Sequence, residues 1–114
     1  MQMFLTNITS IHRYEHNGLQ FLHAQDLSTA FAFIGNLKVT PDGAMLFACD
    51  RAAEMALFTS NGVSYSQALT FASSEQPRAF DFNENQTLLA VGCSSGKIQL
   101  YELVSVSSIN LVFE

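Results

Sequence analysis

Arg78, inside the run Gln76-Pro77-Arg78-Ala79-Phe80-Asp81, is the side chain best suited to hold an anion. A guanidinium grips a carboxylate or phosphate through two parallel hydrogen bonds. Gln76 and Asp81 flank it, and the three form a candidate ligand- or partner-binding group. The alternative role for Arg78 is structural, as a clamp on Asp81, Glu75 or a backbone carbonyl. Asp42, Asp50 and Glu84 fall mostly in turn-like contexts, where Asp usually bonds its own backbone, so no carboxylate is expected to be catalytic.

No metal site is expected. On a strand, His12 and His16 would share a face about 13 Å apart, too far for one ion, and His12, His16 and His23 read as surface or interface groups. Cys49 and Cys93 lack zinc spacing, and each ends an apolar run, the setting of a small buried hydrophobe. Ser94-Ser95-Gly96 does not have the Gly-x-Ser-x-Gly frame of a nucleophile elbow. No Gly-rich loop leads into a helix, so neither a covalent nucleophile nor a bound cofactor is expected.

Composition narrows the partners. A net charge of −5, with only Arg13, Lys38, Arg51, Arg78 and Lys97 as scattered basic residues, does not suit phosphate neutralisation. Nucleic acid and anionic membranes are therefore not expected partners. The 114 residues are 48% hydrophobic and 13% charged, enough for the core of one domain. The start, MQMFLTNITS, lacks the basic and long apolar regions of a secretion signal, so cytoplasmic residence is expected. The sequons at Asn7-Ile8-Thr9 and Asn85-Gln86-Thr87 would matter only in a secreted protein. No apolar run approaches the length of a membrane span.

The elements that position these residues emerge from an internal repeat. Leu37-Lys38-Val39-Thr40-Pro41-Asp42-Gly43 lies over Phe80-Asp81-Phe82-Asn83-Glu84-Asn85-Gln86 at an offset of 43. At the same offset Met45 to Ala48 falls on Leu88 to Val91, and Met55 to Phe58 on Ile98 to Tyr101. Backwards, Ile11 to Gly18 matches Met55 to Gly62 at an offset of 44. Periods of this size mark stacked structural repeats.

Each unit reads as four short strands. In the middle one these are about Ile34 to Thr40, Ala44 to Cys49, Glu54 to Thr59 and Val63 to Phe71. Pro41-Asp42-Gly43 is a turn, and Asn61-Gly62 is a two-residue hairpin signal. The almost wholly apolar second strand is expected to be covered on both faces. The third unit places strands at Pro77 to Phe82, Thr87 to Gly92, Lys97 to Leu103 and Ser107 to Phe113, and the first at Met3 to Thr6, Ile8 to Glu15 and Leu19 to Asp26. Eleven strands result. Ala52 to Leu57 tolerates a helix compositionally, but its repeat counterpart Ser95 to Leu100 reads as a strand and decides the assignment.

Four strands per unit at this period is the pattern of β-propeller blades, giving an all-β chain of two full four-stranded antiparallel blades plus a partial first blade. The expected division is 1–32 partial blade, 33–75 blade and 76–114 blade. VTPDGAMLFACDRAAEMALF and FDFNENQTLLAVGCSSGKIQLYEL loosely resemble WD-repeat cores, with Tyr101-Glu102 standing where Trp-Asp would be. QPRAF, opening the innermost strand, resembles the blade-opening Pro-Arg motif of lactonase-type seven-bladed propellers, a family that includes some 6-phosphogluconolactonases and muconate-lactonising enzymes. Gly35 occupies the position of Arg78 in the middle unit, so the motif occurs once.

A closed propeller has four to eight blades, and two and a part leave uncovered faces. The chain is therefore expected either to be one piece of a longer propeller, or to pair with itself or with another protein segment that completes the ring. Two functions follow: a non-catalytic binding or assembly module, or part of a lactonase-like hydrolase. The resemblance implies the second, with Arg78 near the central channel.

Overall fold

A computed structural model describes residues 1–7, 10–29, 31, 34–73, 75–105 and 108–113. The strand starts expected at Ile8 and Ser107 lie outside the described residues. Among the described residues eleven strands form: β1 Gln2–Thr6, β2 Ser10–His16, β3 Phe21–Ser28, β4 Ile34–Val39, β5 Met45–Asp50, β6 Glu54–Ser60, β7 Tyr65–Ala72, β8 Pro77–Phe82, β9 Leu88–Cys93, β10 Ile98–Ser105 and β11 Ser108–Phe113. They make three antiparallel sheets in simple meander order, β1-β2-β3, β4-β5-β6-β7 and β8-β9-β10-β11. The repeat unit is thus one sheet, and of the helix-tolerant segment, Glu54 to Leu57 become part of β6 while Ala52 and Ala53 stay in the preceding loop.

Strand alternation explains how the sheets stack. Successive side chains point to opposite faces. In β5 and β6, Leu46, Ala48, Ala56 and Phe58 join Ile11, Leu27 and Ile34 in a core between the first and second sheets. Phe47, Cys49, Met55 and Leu57 join Phe80, Leu89, Val91 and Tyr101 in a second core between the second and third. The middle sheet is therefore apolar on both sides. β7 alternates differently, with Tyr65 buried and Ser66 and Gln67 exposed, as suits an outer strand.

Buried polar groups tie the stack. Arg13, only 4% exposed, donates from Nη2 to the Val63 carbonyl at 2.9 Å and from Nη1 to Glu15. Its guanidinium carbon lies 5.6 Å from the centre of the Tyr65 ring. Gln25 donates to the Tyr65 carbonyl at 2.7 Å and accepts from the Tyr65 amide at 2.9 Å, joining the outer strands β3 and β7. Between the second and third sheets, the fully buried Gln99 accepts at Oε1 from Ser73 at 2.7 Å and Tyr101 at 2.9 Å.

The hairpins differ from the two-residue expectation. Asn61 Oδ1 accepts from the amides of Val63 and Ser64, and the Asn61 amide donates to the Ser64 carbonyl at 3.1 Å. This side-chain bonding widens the loop to four residues, so β7 starts at Tyr65 rather than Val63. Asn17 does the same for Leu19 and Gln20, which moves the start of β3 to Phe21. Gly62, at φ +94°, supplies the positive φ that the loop needs.

Leu57→Ala and Leu46→Ala are expected to cost about 3 kcal/mol each, read from urea unfolding. They empty opposite faces of the same sheet, and a near-neutral result for either would mean that its face is not packed.

Candidate functional site

The innermost strands β4 and β8 begin with the same irregularity. Pro77 pairs with Cys93 and Ala79 with Gly92, which leaves Arg78 as the extra residue of a β-bulge. Ile34 pairs with Asp50 and Asn36 with Cys49, which leaves Gly35 in the equivalent place. A bulge bends its strand and re-aims the side chain it carries. Pro77 is tolerated because it opens the strand.

Both bulges face one cavity of about 380 Å³, lined by Gly35, Asp50, Arg51, Gln76, Pro77 and Arg78. Its size is within the range of small-ligand sites. Arg78 is exposed, and no hydrogen bond or ion pair engages its guanidinium among the described residues. Its backbone carbonyl instead accepts from Asn36 at 3.1 Å, linking the two inner strands. The Gln76 carbonyl accepts from the Ser94 amide at 3.0 Å, which anchors the segment leading into β8. Gly35 is needed for room: a Cβ there would stand 3.1 Å from the Asp50 carbonyl oxygen.

Asp50 lines the cavity but is engaged elsewhere. Its Oδ1 accepts from the amides of Ala52 at 2.8 Å and Glu54 at 3.0 Å, shaping the loop between β5 and β6. Arg51 lines the same cavity and so adds to the residues that the sequence suggested around Arg78. Its signal in the sequence was only its place after an apolar strand.

Asp81 is not brought to Arg78. It lies three residues further along β8, about 10 Å at the usual rise, and lines a separate groove of about 1020 Å³ with the Pro41-Asp42-Gly43 turn. There it sits 3.5 Å from Lys38 Nζ. Glu75 faces Lys97 at 3.5 Å and also accepts from Ser95. Neither carboxylate clamps Arg78.

The turn carboxylate Asp42 accepts from the Ala44 amide at 2.9 Å and from the Thr40 hydroxyl at 2.8 Å, and these bonds hold its carboxyl below the ordinary range. Cys49 and Cys93 are free thiols buried in the core behind the cavity. Burial pushes the Cys49 thiol up to about 11, reinforced by the charge of Asp50.

The histidines lie away from the cavity. The distance between His12 and His16 along one strand leaves out the neighbouring strand, from which His23 and Asp26 approach His12. His16 instead packs its ring edge-on against Phe21, 4.9 Å between centres. Among the described residues no helix is long and apolar enough to cross a membrane.

Comparison with known proteins bears on this geometry. A family model described as Lactonase, 7-bladed beta-propeller matches residues 5–109. No curated protein matches the chain. A solved candidate 6-phosphogluconolactonase of Bacteroides fragilis superposes with a TM-score of 0.83 at 20% identity, over 97% of this chain and 34% of that one. The periplasmic gluconolactonase of Pseudomonas aeruginosa gives 0.81 at 15% identity, over 97% and 35%. A protein of unknown function from Desulfotomaculum acetoxidans gives 0.78 at 16%, over 96% and 37%. At these identities the likeness to the solved structures is one of fold, and the chain spans about a third of their length.

Cys49 is expected to resist alkylation in the folded chain up to about pH 10, measured by mass after brief iodoacetamide pulses. Because its folded value is raised, the stabilising contribution is full below the unfolded value near 9. It fades as pH rises towards 11.

Proposed function

This chain belongs to the seven-bladed lactonase β-propeller family, and on that premise we propose that it is part of a hydrolase that opens a sugar lactone or a related lactone. The observation that carries the reading is the exposed Arg78 guanidinium, set by a bulge at the start of an innermost strand beside Arg51. An exposed guanidinium there suits an anionic substituent of the substrate or the oxyanion formed during ester cleavage.

In the reaction, water adds to the ring carbonyl carbon and loses a proton to a base, while the carbonyl electron pair moves onto oxygen. Arg78 stabilises that oxyanion or holds a carboxylate or phosphate on the sugar. Collapse re-forms the carbonyl and breaks the ring C–O bond, and the departing alkoxide takes a proton. The product is a hydroxy acid. Asp50 is not assigned as the base, since its Oδ1 already accepts two backbone amides.

Seven blades need more sheets than the three present. The ring is completed by the rest of a longer propeller, by further copies of the chain or by another polypeptide segment, and these 114 residues in isolation are not a stable monomer. Exposed Leu5, Ile98 and Leu111 in the first and third sheets support this. Cytoplasmic residence belongs to the same reading, supported by two free buried thiols. The reading as a non-catalytic binding or assembly module has no observation of its own, and it becomes the conclusion if the assembled protein lacks turnover.

With δ-lactones of sugar acids, acid release by the assembled protein is expected, and Arg78→Ala should lower kcat/KM about 100-fold. Absence of turnover in the wild type rejects the hydrolase reading, while turnover untouched by the substitution removes only Arg78 from it. Light scattering of the chain alone should give a particle of several 12.6 kDa copies or an aggregate. A compact monomer that unfolds cooperatively would contradict the unfinished ring.

A further inference from the structure

We infer that His12, His23 and Asp26 form a binding site for a divalent ion of the zinc class on the outer face of the first sheet. His12 Nδ1 lies 2.5 Å and His23 Nε2 2.6 Å from the same Asp26 Oδ1. The three candidate ligand atoms all fall within 4.8 Å of one another. Two imidazole nitrogens and one carboxylate oxygen are a donor set that zinc accepts, with room for water as a further ligand.

Chain geometry assembles the set. His12 and Asp26 are directly opposed across β2 and β3, and so are Tyr14 and His23. His12 and Tyr14, two apart on β2, share a face. His23 and Asp26, three apart, would normally lie on opposite faces. The register shift between Arg13 and Tyr14 leaves Ala24 unpaired, and this bulge turns His23 onto the face of Asp26. Tyr14 then stacks edge-on against His23, 5.5 Å between ring centres.

In this chain Asp26 and His23 are 57% and 51% exposed and His12 29%. Leu5 is paired with His12 and shares its face, so the sheet that completes the ring comes up against this face and the site lies at that joint. Ligand atoms around zinc stand about 3.3 Å apart, so the exposed His23 ring has to swing inwards and Asp26 to draw back slightly. At the position of His12 the third sheet carries Gln99, buried against Ser73 and Tyr101, so the ligand set is particular to the first sheet and not a product of the repeat. Its face is turned away from the second sheet, since Ile11 and Arg13 occupy the inner side.

One neighbour reports on the ion directly. Asn7 Nδ2 lies 3.2 Å from His12 Nε2, while Asn7 Oδ1 accepts from the Ser10 amide. An ion on Nδ1 moves the ring proton to Nε2, so the exposed Asn7 amide must turn away. Aspartate at position 7 would accept that proton's hydrogen bond instead, as carboxylates behind zinc-bound histidines do.

Zinc chloride titrated calorimetrically into the assembled protein is expected to show one bound ion per chain. His23→Ala and Asp26→Asn should each weaken binding about tenfold or more, His16→Ala should leave it unchanged, and Asn7→Asp should tighten it several-fold. Circular dichroism establishes that each variant is folded. No binding by the wild type, binding that survives His23→Ala and Asp26→Asn, or weaker binding in Asn7→Asp overturns the assignment.

Discussion

A sheet that carries apolar side chains on both faces has no free surface to offer water, and the second sheet of this chain is built that way. Along β5 and β6 the side chains divide by turns between two cores, and removing either neighbour would expose a full apolar face. At about 25 cal/mol for each Å² of apolar surface withdrawn from water, burial of that kind is the largest favourable contribution available to a chain with so few charges. Stacking therefore comes first, and the positions of the inner strands, the bulges and the cavity follow from it.

Polar contacts then fix how the sheets meet. Burying Arg13 would be costly without partners, and the Val63 carbonyl, Glu15, Gln25 and the face of Tyr65 supply them. Among the described residues no buried side-chain nitrogen or oxygen lacks a partner. Because Arg78 stands outside this network, its charge remains available at the mouth while the backbone beneath it is held by Asn36. Two arginines thus stand in opposite settings within one short chain: Arg13 is buried in a joint between sheets, Arg78 is open to solvent.

The fold was legible because strand periodicity and the unit repeat agree, which allowed the strand reading of Ser95 to Leu100 to settle the ambiguous Ala52 to Leu57. Loop length was less so. Asn-Gly predicts two-residue hairpins from backbone geometry, whereas Asn17 and Asn61 each use a side-chain oxygen to cap two further amides. Arg78 and Gln76 were legible as neighbours in a cavity, because both sit where a blade opens. Asp81 was grouped with them by sequence proximity alone, and an extended strand separates groups that a turn or helix would unite. The His12, His23 and Asp26 cluster was hidden by a single unpaired residue, Ala24, whose insertion in the ladder no composition rule announces.

Single amide side chains tie the sheets at both rims. Gln25 of the outer strand β3 reaches the backbone of Tyr65 in β7, and Asn36 of the inner strand β4 reaches the backbone carbonyl of Arg78 in β8. A sheet cannot slide along its neighbour without breaking these bonds, so the apolar filling holds the stack together while single amide side chains fix its register.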